Sequence, residues 1–113
     1  MNNSNLATAH CVPCEGGVEP IKEPEISEYL KQLKFDWKVL DGKKIMHQFE
    51  FKNFVEAMKF VNKIVPIAEA EGHHPDIYIF YNKVRIELWT HAINGLFKND
   101  FILAAKIEKL VAS

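Results

Sequence analysis

The chain has 113 residues, close to half of them apolar and about a quarter charged, the size and balance of one globular domain. A formal charge of −1, with lysines scattered among acids, excludes the clustered Lys and Arg of a nucleic-acid binder. No apolar run approaches the length of a membrane span, and Met1 to His10 has neither the basic start nor the apolar stretch of a signal peptide, so the expected compartment is the cytoplasm.

Residues 1–22 carry Pro13, Gly16, Gly17 and Pro20 without apolar periodicity, and read as a flexible N-terminal arm ahead of a single domain over residues 23–113. Cys11 and Cys14 stand in C-x-x-C spacing. A zinc ribbon needs a second such pair, which is missing, and a redox motif opens a helix, whereas Pro13 and Glu15-Gly16-Gly17 make a loop. The two cysteines therefore read as a pair of thiols in the leader.

Ile26, Tyr29, Leu30 and Leu33 fall at helical spacing and predict a helix from about Pro24 to Leu33. Phe35, Trp37 and Val39 then alternate on one strand, and Ile45, His47, Phe49 and Phe51 on the next, with Asp41-Gly42-Lys43 as the turn. A three-residue loop sets Trp37 opposite His47 and Phe35 opposite Phe49. Asn53 with Glu56 three residues on marks the start of the central helix. Its predicted apolar stripe is Phe54, Ala57, Met58, Val61, Ile64, Val65 and Ala68, Pro66 loosens its last turns, and Gly72 ends it.

A second hairpin, Ile77–Tyr81 and Val84–Thr90, is predicted to turn on Asn82-Lys83, and the last helix to cover about Lys98 to Ala112. The order α-β-β-α-β-β-α indicates an α+β fold, a four-stranded antiparallel sheet with three helices on one face.

The chemistry concentrates in Glu69, His73-His74-Pro75, Thr90-His91 and Asp100. A two-residue turn at Asn82-Lys83 pairs Tyr81 with Val84, Ile79 with Ile86 and Ile77 with Leu88. Continued, that register sets His74 opposite His91, with Cβ atoms roughly 5 Å apart. Pro75 biases His74 toward an extended backbone, so His73 and His74 point different ways. Imidazoles titrate near neutrality, so a group of them supplies both an acid and a base, as elimination of water requires. His10 and His47 read as a surface and a satisfied core histidine. Zinc held by three histidines and a water is the competing use of the cluster.

Glu69-x-x-x-His73-His74-Pro75, Tyr81-Asn82-Lys83-Val84, Thr90-His91, Gly95-Leu96 and Asp100 resemble the pterin-4a-carbinolamine dehydratases, and Cys14-Glu15-Gly16-Gly17 with Pro20 resembles the leader of many microbial members. The resemblance runs from about Cys11 to Leu110. It implies removal of water from a 4a-hydroxy-tetrahydropterin, the product of aromatic amino acid hydroxylases, to give the quinonoid dihydropterin. It further implies that no metal or organic cofactor takes part.

By position, His73, His74 and His91 match the family's active-site histidines. Gly72 to His74 and Trp89, Thr90, His91 and Ala92 match its pterin-contacting segments. Glu69, Pro75 and Asp100 match supporting positions, and Trp37 a tryptophan near the site. The resemblance also implies a homodimer or homotetramer and a link to an aromatic amino acid hydroxylase. Vertebrate members double as dimerisation cofactors of a transcription factor, so a protein-binding module is the alternative function.

Two positions depart from the pattern. Trp89 stands where the family often has a small polar residue, so its bulk is expected either to narrow or reshape the pocket or to cover a subunit contact. Phe97 stands where many members have a Ser or Thr capping the last helix, which leaves Asn99 as the expected N-cap.

Overall fold

The computed structural model describes residues 4–13 and 16–112. The architecture is α+β, in the element order that the apolar pattern predicts, preceded by one short helix. Helix α1 is Ser4–Thr8 and α2 is Glu25–Leu30. Strands β1 (Lys38–Leu40) and β2 (Lys44–Glu50) form the first hairpin. Helix α3 is Phe54–Glu71. Strands β3 (Asp76–Phe80) and β4 (Lys83–Leu88) form the second, a 3-10 turn covers His91–Ile93, and α4 is Lys98–Ala112. One antiparallel sheet has the order β1-β2-β4-β3. Ile45 and Phe49 on β2 and Val84, Ile86 and Leu88 on β4 share a face, by the two-residue period of a strand, and are buried in the core with α3 and α4. No helix among the described residues is long and apolar enough to cross a membrane.

Helix α2 is shorter than the spacing predicts. Gln32 and Leu33 donate their N–H groups three residues back, to Tyr29 and Leu30, so the chain tightens and leaves the helix. The cause is Glu108 of α4, which is buried. Its carboxylate accepts Lys34 N–H (2.9 Å), Phe35 N–H (2.7 Å) and the Trp37 indole N–H (2.9 Å). These bonds draw residues 34–37 onto α4, and β1 starts only at Lys38. Where the first hairpin does pair, its register is the predicted one, with Lys38 opposite Met46 and Val39 opposite Ile45.

Helix α3 is capped as its sequence predicts. The Asn53 side chain accepts Glu56 N–H at 2.9 Å, and Gly72 ends the helix at φ 64°, a left-handed conformation that favours glycine. The helix runs through Pro66, which is exposed, so water can satisfy the carbonyl that loses its donor. The buried stripe is Ala57, Phe60, Ile64 and Ala68, whereas Phe54 and Val65 are exposed. The stripe is rotated toward Phe60, whose ring packs 4.9 Å from both Phe49 and Phe51 of the first hairpin.

The second hairpin overturns the predicted register. The turn is Tyr81-Asn82, and Phe80 faces Lys83, Ile79 faces Val84 and Ile77 faces Ile86. Asn82 explains the two-residue shift. Its carbonyl accepts Phe51 N–H at 2.8 Å and its side chain donates to Phe51 O at 2.9 Å, which fixes Asn82 beside the end of β2 and puts Lys83 into the ladder. Tyr81 takes the left-handed conformation (φ 53°) that the turn needs. Because the shift is even, the same residues still share one sheet face, with Val84, Ile86 and Leu88 buried, Ile77 partly buried and Ile79 exposed on the edge strand.

In the segment expected as an arm, α1 packs along α4 and Leu6 is buried. Cys14, on which the C-x-x-C reading depends, lies outside the described residues.

Glu108→Ala leaves three donors without their acceptor. It is expected to lower the unfolding free energy by about 2–4 kcal/mol, seen as a lower urea midpoint at unchanged slope.

Candidate active site

Asp100, in the first turn of α4, is fully buried. Its Oδ2 accepts the Thr90 hydroxyl (2.9 Å) and the Phe97 N–H (3.0 Å), and its Oδ1 bonds His73 Nε2 at 2.6 Å. One carboxylate thus joins the start of α4, the end of β4 and the end of α3. It also stands where the helix dipole favours an anion. Asp100, not Asn99, closes the helix start, so the expected Asn99 cap is corrected: the Asn99 side chain is engaged with Val12. A carboxylate only accepts, so His73 donates from Nε2 and keeps the lone pair of its neutral form on Nδ1.

His73 leaves α3 just after Gly72. Its N–H donates to Ala68 O at 3.2 Å, and its side chain is only 12% exposed. His74 points elsewhere. Its Nε2 lies 2.7 Å from Glu69 Oε2 on the surface, a pair that orients the ring more than it stabilises the fold.

His91 opens the 3-10 turn, and its ring packs on Trp89 with centroids 4.0 Å apart. Trp89 is fixed by donation from its indole N–H to Asp76 Oδ2 (3.0 Å), and the Lys44 ammonium lies 5.3 Å from its ring centre. Thr90 and Gly95 exchange backbone bonds across the turn, at 2.8 and 3.3 Å. Gly95 is required there because a Cβ would come within 2.6 Å of the Pro20 side chain.

The ladder facing of His74 and His91 does not occur. The β3–β4 pairing ends at Asp76 opposite Glu87, and continued it would bring His74 to Trp89. The histidines meet in a cavity instead. It has a volume of about 450 Å³ and is lined by Glu71, Gly72, His73 and His74 from one side of the sequence. Trp89, Thr90, His91 and Ala92, then Asn99, and finally Cys11, Val12 and Pro13 complete it.

Of the expected residues, Asp100 stands behind His73 and Glu69 holds His74, while Pro75 and Trp37 are not among the lining residues. Trp37 packs in the core against His47 and Phe49 and donates to Glu108, more than two turns along α4 from Asp100. His47 is stacked on Phe35 and lies 3.2 Å from Asp36 O, a satisfied ring. No three His, Cys, Asp or Glu side chains among the described residues are gathered as a metal-binding group.

Sequence reasoning missed Glu71, Asn99 and residues 11–13. Glu71 did carry a signal, since an acid in the last turn of a helix opposes the dipole unless something pairs it. Burial pushes its carboxyl up, but the Cys11 N–H, His10 and Lys106 outweigh burial and hold it below the ordinary glutamate range. Oε1 accepts the Cys11 N–H at 2.7 Å, and Oε2 lies 2.9 Å from His10 Nδ1 and 3.7 Å from Lys106 Nζ. The Cys11 thiol is pushed up to about 12, first by burial and then by the Glu71 and Asp100 charges, so it is protonated at neutral pH.

The depressed Glu71 carboxyl contributes stability that is present above the ordinary glutamate value of about 4.3 and is lost as pH falls through the lower native value. Wild type is therefore expected to lose more unfolding free energy than Glu71→Gln when urea titrations are run from pH 7 down to pH 3.

A family model described as pterin 4 alpha carbinolamine dehydratase matches residues 19–110. A relative from Rickettsia canadensis, named "Putative pterin-4-alpha-carbinolamine dehydratase", is 47% identical over 94% of this chain and 97% of its own length. One of the same name from Nitrosospira multiformis is 49% identical over 94% of this chain and 92% of its own. The crystal structure of a transcriptional coactivator/pterin dehydratase from Brucella melitensis superposes with a TM-score of 0.77 at 33% identity, over 83% of this chain and all of that one. The chain belongs to the pterin 4 alpha carbinolamine dehydratase family.

Proposed function

We propose that the 450 Å³ cavity takes a pterin-4a-carbinolamine, 4a-hydroxytetrahydrobiopterin or a close analogue, and that its histidines eliminate water. The observation that carries this reading is the gathering of His73, His74 and His91 on one cavity, with the buried Asp100 bonded to His73. Elimination needs a proton delivered to the 4a hydroxyl as the carbon–oxygen bond breaks. It also needs a proton removed from the adjacent ring nitrogen as the new double bond forms.

His73 suits the second task. Its Nε2–H is committed to Asp100, its Nδ1 carries the lone pair, and the carboxylate stabilises the imidazolium that results. His91, held by its stacking on Trp89, delivers the proton to the departing hydroxyl. His74, tied to Glu69 and more exposed, shuttles protons to solvent. Gly72, Trp89, Thr90 and Ala92 shape the pterin surface of the cavity. The reaction takes no metal or organic cofactor.

The product is the quinonoid dihydropterin, which a reductase returns to the tetrahydropterin for an aromatic amino acid hydroxylase. The protein works in the cytoplasm as a homodimer or homotetramer, for which the β3 edge offers unpaired backbone and exposed Tyr78 and Phe80. A second reading, a dimerisation or transcriptional cofactor, is favoured by the coactivator name of the Brucella structure. It requires direct association with a transcription factor or a hydroxylase, measured with the purified chains.

His91→Ala and His73→Ala are each expected to lower kcat/KM for carbinolamine dehydration by about 100-fold or more. Asp100→Asn, which keeps the shape and loses the charge, is expected to cost about 10- to 100-fold with the circular dichroism spectrum unchanged. Dehydration at the wild-type rate in His91→Ala contradicts the acid–base reading.

A further inference from the structure

The mechanism above uses neither Glu71 nor Asn99, yet both are buried or nearly so at the cavity wall. The Asn99 side chain and one Glu71 oxygen are turned to the main chain of residues 11 and 12, while the other Glu71 oxygen faces His10 and Lys106. Glu71 accepts the Cys11 N–H at 2.7 Å. Asn99 accepts the Val12 N–H at 3.0 Å and donates to Val12 O at 2.7 Å, a two-way bond that imitates the pairing of two strands.

A five-residue helix such as α1 has no stability of its own, so the path of this segment is set by tertiary anchors. Leu6 is sunk in the core and the Lys106 ammonium donates to Ala7 O at 2.8 Å. The Glu71 and Asn99 bonds are the next anchors along the chain. Because they hold backbone atoms, they fix where the chain runs; the Cys11 thiol adds a bond to Asn99 O at 3.6 Å, and Cys11, Val12 and Pro13 all line the cavity.

We propose that Cys11, Val12 and Pro13 form a substrate-retaining wall of this cavity, and that Glu71 and Asn99 are positioning residues that hold the wall. The proposal rests on the cavity being the pterin site. Val12 and Pro13 carry no acid or base and the Cys11 thiol is bonded to Asn99 O, so the wall offers the reaction no proton and acts equally on ground and transition states. Loosening it raises KM and leaves kcat in place.

The test uses the full chain and the variants Asn99→Ala, Asn99→Asp and Glu71→Ala, with amide hydrogen exchange, steady-state dehydration and 7,8-dihydrobiopterin binding followed by tryptophan fluorescence. In Asn99→Ala the Val12 amide is expected to exchange at least about tenfold faster. KM and the dihydrobiopterin Kd should both rise about three- to tenfold, with kcat within about twofold. Asn99→Asp keeps the acceptor for Val12 N–H and should recover part of the loss. Glu71→Ala should act in the same direction through Cys11, so the wall is tested even if one variant folds poorly.

Faster Val12 exchange with unchanged KM and Kd overturns the wall. A fall in kcat at constant KM also overturns it, since Asn99 would then act on the chemistry. If wild type binds dihydrobiopterin but dehydrates nothing, the functional reading fails, while the response of Kd to Asn99→Ala still decides the wall. If wild type does not bind dihydrobiopterin at all, both fall.

Discussion

The Asp100 carboxylate is the constraint on which the site depends. It is buried with no solvent contact, and its two oxygens serve donors from three separate parts of the chain: His73, Thr90 and Phe97. A carboxylate so deep is tolerable only when its acceptors are filled, and each filled acceptor fixes one segment of the chain around the cavity. The Phe97 bond fixes the start of α4. The Thr90 bond fixes the entry to the turn that carries His91. The His73 bond fixes the ring at the end of α3 and assigns its donor nitrogen.

Glu108 does for the fold what Asp100 does for the site. Both sit on α4 and both gather backbone or side-chain donors from remote segments, Glu108 from residues 34, 35 and 37. Helix α4 is therefore a spine with a buried acid at each end of its inner face. The sheet is laid against it by Ile45, Val84, Ile86 and Leu88. The N-terminal segment is tied to the same helix by Asn99 and Lys106.

Most of the fold was legible because its signals are local. The Asn53 cap, the Gly72 stop, the bounds of α4 and the first-hairpin register follow from residue type and spacing, and the structure reproduces them. The second-hairpin register was not legible. Asn82-Lys83 looks like the turn, but the structure puts Tyr81 into a left-handed conformation that a bulky residue rarely takes. What drives this is the bond from Asn82 to Phe51, a partner 31 residues away. The facing of His74 and His91 fell with that register, although both residues line the same cavity.

The same limit explains the rest of the site. The three histidines, Glu69 and Asp100 stand out by chemistry, and the family resemblance adds their matched positions. Trp37 came from that resemblance alone, and the Glu108 bond places it in the core. Asn99 and residues 11–13 have no local pattern that marks them, because they become neighbours only when the segment lies along α4. The measurement that tests the acid–base account most directly is a crystal structure of the protein with 7,8-dihydrobiopterin bound. The account predicts the pterin in the histidine cavity, with ring nitrogens of His73 and His91 within about 3.5 Å of the 4a carbon's substituent position and the adjacent ring nitrogen. A pterin bound elsewhere, or seated there with both rings beyond reach of the reacting atoms, would contradict it.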